Sequence, residues 1–85
     1  MKNLKQLLDR AILRSLKDAS PYLMPGDTLA DEAALRVVPP PTLSEIHVAL
    51  GDLEARGLIL ATRTDYAIKW NLTDKGRAFC AEHQI

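Results

Sequence analysis

Residues 42–59, TLSEIHVALGDLEARGLI, constrain the fold of this chain more than any other stretch. A helix start, an apolar stripe, a glycine stop and a β-type run follow one another without a gap. Thr42 and Glu45 have the S/T-x-x-E spacing, so each side chain can satisfy a backbone N–H that the first helical turn leaves without a partner. Leu43, Ile46, Ala49, Leu50 and Leu53 recur at intervals of three and four, which places them on one helical face. Gly57 stands where the chain needs a left-handed residue to leave that helix. Leu58-Ile59-Leu60 then reads as a buried strand start. A helix that feeds a hairpin through a tight glycine turn is a specific arrangement, and the flanking segments are read around it.

Upstream, residues 3–19 predict a first helix with Leu4, Leu7, Leu8, Ala11, Ile12 and Leu16 on one face. Leu13 falls outside that arc, while Arg10, Arg14 and Lys17 share another face. Ser20-Pro21 ends the helix, because proline lacks an N–H and disfavours the helical conformation of its predecessor. Tyr22-Leu23-Met24 reads as a brief edge strand. Gly26-Asp27-Thr28 opens a second helix, with Thr28 and Asp31 as a capping pair and Leu29, Ala30, Ala33, Ala34 and Val37 facing inward. Val38-Pro39-Pro40-Pro41 is an extended connector. A proline string can also be a peptide ligand, but its place between two helices favours the connector.

Downstream, 58–63 and 66–72 read as two strands turning near Thr64-Asp65. Tyr66, Ile68, Trp70 and Leu72 alternate on one face, with Ala67, Lys69 and Asn71 on the other. Thr73 caps a last short helix with Phe79 as its core anchor and Cys80 half-buried beside it.

At 85 residues, with 47% apolar and 26% charged side chains, the chain is expected to form one domain, residues 1–85, around a single modest core. It contains no apolar run of membrane-spanning length and no signal-peptide pattern, and Cys80 is its one cysteine. A cytoplasmic placement away from membranes is therefore expected. The formal net charge is zero. Residues 1–20 carry five basic and two acidic side chains, a net of +3; residues 21–57 carry two and six, a net of −4; residues 58–85 carry four and three, a net of +1. Nucleic-acid binders usually show a basic excess, so any such signal must lie in the local distribution.

The predicted order is helix, short extended piece, helix, helix, two-stranded hairpin, helix: mainly α with a small β-hairpin. The spacing Leu50-x-x-Leu53-x-x-x-Gly57-Leu58-Ile59, followed by Trp70-x-Leu72-Thr73-x-x-Gly76, resembles that of winged helix–turn–helix regulators of the MarR-like and PadR-like groups. Trp70 stands where those groups often carry tyrosine, and long terminal helices of the kind with which they dimerise are not expected within these 85 residues. The resemblance spans essentially the whole chain. It implies that the third helix enters the major groove of duplex DNA, that the hairpin is a wing against the backbone or the minor groove, and that the protein represses or activates genes.

The residues qualify that implication. Projected at about 100° per residue, the face of the central helix opposite its core holds Ser44, Val48, Gly51 and Ala55, flanked by Glu45 and Asp52 on one side and His47 and Glu54 on the other. Base reading in the major groove draws mostly on Arg, Lys, Asn and Gln, none of which occurs there before Arg56. A smooth face of small residues instead suits close packing against another helix. Two readings follow. In the first, Ser44, His47, Arg63 and Lys69 meet DNA, with Arg10, Arg14 and Lys17 as a phosphate-facing flank. In the second, Ser44, Val48, Gly51 and Ala55 form an interface with a protein partner or in a homodimer. The bland alternatives are a solvated basic helix face and an ordinary hairpin. Catalysis, a metal site and a cofactor are not expected, since Cys80 and His83 have no further ligands or activating group at suitable spacing.

Overall fold

The computed structural model describes residues 4–85. Helix α1 spans Leu4–Ala19, strand β1 Met24–Pro25, helix α2 Gly26–Arg36, helix α3 Leu43–Ala55, strand β2 Ile59–Arg63, strand β3 Ile68–Leu72 and helix α4 Asp74–Glu82. The strands form one antiparallel sheet in the order β1-β3-β2. The edge strand predicted at Tyr22–Met24 exists but lies slightly later in the chain, with Met24 opposite Trp70 and Pro25 opposite Lys69.

Helix α1 is the centre of the molecule, packing against α2, α3, α4 and β3. That placement corrects the reading of Leu13. It is fully buried, with Ile12 and Leu16, because α1 has neighbours on more than one side and its apolar arc is wider than a single stripe. The reverse holds at two helix starts. Leu4 and Leu43, both expected inside, are 51% and 65% exposed, because the first turn of each helix overhangs the core. Leu60 is also exposed, on the outer face of the sheet.

Helix α3 starts as its sequence requires. Thr42 Oγ1 accepts from the Glu45 N–H at 3.1 Å, and Glu45 Oε1 accepts from the Thr42 N–H at 2.9 Å. Such a box contributes about 1 kcal/mol. The capping pair expected at Thr28 and Asp31 does not form. Helix α2 begins earlier, at Gly26, with Pro25 in the cap position and no side-chain cap; Asp27 Oδ1 accepts from the Thr28 N–H instead. Proline at that position fixes the entry of the chain, and Asp27 lies near the positive end of the helix dipole. Arg36, in the last turn of α2, ties the helix to α1 by donating to Ser15 Oγ at 3.2 Å and to Asp18 at 3.1 Å.

The exit from α3 and the entry to α4 form one junction. Gly57 has φ +76°, the left-handed conformation that a side chain disfavours. Thr73 Oγ1 donates to the Gly57 carbonyl at 2.6 Å and accepts from the Gly76 N–H at 2.9 Å. The Thr73 N–H donates to the Leu58 carbonyl at 3.1 Å. Gly76 packs against the same carbonyl so closely that a Cβ there would overlap Leu58 O. The core anchor of α4 is Cys80 rather than Phe79. Cys80 is 1% exposed, while Phe79 is half-buried at the edge of the core. Burial pushes the Cys80 thiol up, away from the reactive thiolate.

Gly51 and Gly76, each inside a helix, consequently make opposite demands. Gly76→Ala is expected to lower the unfolding free energy by about 3 kcal/mol, since a backbone carbonyl would have to move. Gly51 lies mid-helix, and a methyl group added there would have no neighbour within 4 Å, so Gly51→Ala is expected to raise stability by about 0.5–1 kcal/mol. Urea unfolding of the two variants measures both, and equal effects would contradict the packing at Gly76.

Candidate nucleic-acid interface

Three elements of the fold present the residues singled out in the sequence: α3, the β2–β3 hairpin and α1. On α3, Ile46, Ala49, Leu50 and Leu53 are buried, and the capping box holds the helix start. This leaves Ser44, His47, Val48, Gly51 and Ala55 exposed, as the helical projection predicts. The acidic edge of that face is less available than its composition implies. Glu45 is held by its own helix start at 2.9 Å, and Asp52 accepts from Lys5 Nζ at 3.0 Å with Arg56 also 3.7 Å away. Both carboxylates are partnered within the chain. Sequence spacing could not show this for Asp52, because Lys5 lies 47 residues away.

The hairpin pairs Ile59 with Leu72, Ala61 with Trp70, Thr62 with Lys69 and Arg63 with Ile68. Trp70 and Leu72 are buried, but the alternation stops short of Tyr66, which lies in the turn and is 97% exposed. Thr64 builds that turn. Its N–H donates to the Ala67 carbonyl at 2.9 Å, and its Oγ1 accepts from the N–H groups of Tyr66 and Ala67 at 3.3 and 3.0 Å. The turn therefore holds its shape without the Asn-Gly or Asp-Gly pair that two-residue hairpins favour. Arg63 and Lys69 fall on opposite faces of the ribbon, because their cross-strand positions differ by one. Among the described residues neither has an ion pair or a side-chain hydrogen bond.

Arg10, Arg14 and Lys17 do share one side of α1, but each has a partner. Arg10 donates to the His83 carbonyl at 3.2 Å and Lys17 to the Ile85 carbonyl at 2.7 Å, satisfying acceptors beyond the end of α4. Arg14 pairs with Asp18 at 3.1 Å. On another side of α1, Asp9 is buried beside Lys5 at 3.4 Å and Arg56 at 3.8 Å, with its Oδ1 lacking any hydrogen bond among the described residues. Arg56 also lies over the Phe79 ring, 5.4 Å from its centre. Burial pushes the Asp9 carboxyl above the usual range despite Lys5, whereas a hydrogen bond from Lys5 holds Asp52 below it.

Two shallow grooves flank α3. One, of about 340 Å³, is almost wholly apolar and runs between Leu4, Leu8, Pro39, Pro41, Ser44 and Val48. The other, of about 430 Å³, separates α3 from the hairpin and is bordered by Leu43, His47, Tyr66, Ile68 and Trp70. His47 and the hairpin thus face one opening. Among the described residues no group of three potential ligands could hold a metal, and no helix is long and apolar enough to cross a membrane.

Solved structures share this frame. A PadR family transcription regulator from Clostridium difficile R20291 superimposes with a TM-score of 0.72 at 19% identity, over 91% of this chain and 82% of that one. TA0346 from Thermoplasma acidophilum gives 0.74 at 20%, over 94% and 77%. Streptococcus pneumoniae FabT, solved in complex with DNA, gives 0.64 at 24%, over 91% of this chain and 50% of FabT. The fold is the winged helix. No family model matches the chain, and no curated protein matches it by sequence. In winged-helix terms, α2 and α3 correspond to the helix–turn–helix and the β2–β3 hairpin to the wing.

The Asp9 cluster buttresses α3 from behind, and its titration has a defined sign. A carboxyl whose pKa is raised in the folded state binds its proton more tightly there, so Asp9 adds stability as the pH falls from neutrality towards its ordinary value of 3.8. Asp9→Asn removes that gain. The variant is therefore expected to lose more stability than the parent between about pH 7 and pH 4, as read from urea midpoints at each pH. Parallel losses would mean that Asp9 titrates normally.

Proposed function

We propose that the chain is a DNA-binding module of the transcription-regulator type, which lays α3 in the major groove and sets its wing against the sugar–phosphate backbone. The supporting observation is the distribution of unpartnered cations among the described residues. Lys5, Arg10, Arg14, Lys17, Arg36, Arg56, Lys75 and Arg77 all bond within the chain, whereas Arg63 and Lys69 on the wing do not. These two cations, free for phosphates, lie where the winged-helix frame puts a backbone contact. On α3, Ser44 and His47 supply hydrogen-bonding groups, and Val48 offers a methyl surface suited to thymine. Glu45 and Asp52 raise less objection than their charge suggests, since both are partnered locally. Arg10, Arg14 and Lys17 form a secondary flank, because each must leave an internal acceptor to meet a phosphate. The solved complex of FabT with DNA supports the reading by likeness of fold. No enzymatic step or cofactor is part of it.

This reading sets the strength and salt dependence of binding. Two neutralised phosphates give a slope of about −2 per chain in a plot of log affinity against log salt. Arg63→Ala and Lys69→Ala are each expected to flatten the slope by about 1, while Arg77→Ala, whose partner is Asp74, leaves it unchanged. Fluorescence anisotropy with a random duplex measures this. Absence of binding at low ionic strength would sink the proposal.

A second reading rests on the apolar groove beside the outer face of α3, where Val48 is 66% exposed beside Leu4 and the proline connector. There Ser44, Val48, Gly51 and Ala55 would pack against a protein partner or a second copy. Val48→Glu is then expected to reduce self-association or partner capture without changing the unfolding midpoint. A parent that sediments as a monomer at all concentrations and captures no partner would remove this reading.

A further inference from the structure

The wing ends in a feature that the phosphate contacts do not use. Between the last paired residues, Arg63 and Ile68, the turn presents Asp65 and Tyr66 to solvent, Tyr66 almost completely. Among the described residues Asp65 has no hydrogen bond or ion pair through its side chain. Thr64 braces the backbone beneath both residues, so they are held out on a shaped turn rather than on a loose loop. We infer that this tip is a minor-groove reader selective for guanine, in which Asp65 accepts a hydrogen bond from the guanine 2-amino group and Tyr66 lies along the groove wall. The inference rests on the DNA-binding reading and adds a base preference to it.

The basis is charge. Arg63 and Lys69 project from opposite faces at the base of the turn, Arg63 on the edge strand β2 and Lys69 on the central strand β3 beside β1. Only the two-stranded end beyond Lys69 is narrow enough to enter a groove about 6 Å wide, with its tip pointing at the floor while a cation on each face meets phosphates at the rims. Over A·T pairs that floor offers only acceptors, adenine N3 and thymine O2, and narrow A-tracts deepen its negative potential. A carboxylate at the tip is repelled there. The guanine 2-amino group is the single base donor that the minor-groove floor offers, and a carboxylate is an acceptor without a competing donor of its own. Tyr66 adds an apolar ring that can pack on deoxyribose and a hydroxyl that can donate to N3 or O2. The same tip chemistry that argues against A-tract binding therefore argues for guanine.

The experiment uses poly(dG-dC) and poly(dI-dC), which share a major groove but differ by the 2-amino group in the minor groove. The whole chain is expected to bind poly(dG-dC) at least about fivefold more tightly at equal salt, the lower end of what one good base contact contributes. Asp65→Ala is expected to bring that ratio to about one while retaining binding, and Tyr66→Ala to weaken binding to both polymers. Both side chains are exposed, so the fold does not depend on them. A ratio near one for the parent, or a ratio that survives Asp65→Ala, overturns the guanine assignment while leaving the DNA reading intact. Unchanged affinity in Tyr66→Ala removes that residue from the contact. If neither polymer is bound at low salt, the DNA-binding reading fails and the guanine assignment fails with it.

Discussion

The Leu58 carbonyl group is the point on which the fold turns. It accepts the Thr73 N–H and lies directly against Gly76, while the neighbouring Gly57 carbonyl takes the Thr73 hydroxyl. Through these contacts the end of α3, the start of β2, the end of β3 and the start of α4 meet within a few residues. A side chain at Gly76 would push α4 from the sheet, and loss of the left-handed turn at Gly57 would misdirect β2. The angle between α3 and the β2–β3 hairpin is set at this junction. The two sequence fragments that carry the resemblance, one ending in Gly57-Leu58-Ile59 and the other containing Leu72-Thr73-x-x-Gly76, are its two halves.

Around that junction, the chain pairs part of its own charge internally. Asp18 serves Arg14 and Arg36, Asp52 serves Lys5 and Arg56, and Glu45 closes its own helix start. Exposed pairs of this kind contribute little to stability, on the order of 0–1 kcal/mol each. Their greater consequence here is for the surface. They pair Asp52 on the acidic edge of α3 and Arg14 on the basic stripe of α1, and leave on the wing cations that have no internal partner among the described residues. A formal charge of zero is thus compatible with a locally basic contact. It also limits non-specific attraction, since few phosphates can be met at once.

The frame of the fold is legible in the sequence where local rules suffice. The capping box at Thr42 and Glu45, the stripe of α3, the Gly57 stop and the order of the elements need only neighbours in the chain. Where local rules mislead, the cause is a neighbour they do not see. A single-stripe template leaves Leu13 outside the core, because it ignores a helix surrounded by others. Periodicity puts Leu4 and Leu43 inside, because it does not show that a first turn overhangs its neighbours. Thr28 and Asp31 match a capping pattern that Pro25, by starting α2 at Gly26, makes irrelevant. Size favours Phe79 over Cys80 as the anchor of α4, although the helix phase decides which of two adjacent residues points inward.

The candidate site is less legible than the frame. The sequence alone determined which residues lie on the outer face of α3, because a fixed helical rise and a capped start leave no freedom in the matter. It also determined that Arg63 and Lys69 belong to a hairpin. Which charges remain free was decided only in three dimensions, because Lys5 and Asp52, Arg36 and Asp18, and Lys17 and Ile85 are remote in the chain and meet through packing of α1 against its neighbours. Residues 42–59 specify α3 and its turn into the hairpin. The electrostatic surface around that helix depends on side chains far away in sequence, and distance along a chain carries no information about proximity until the core has closed.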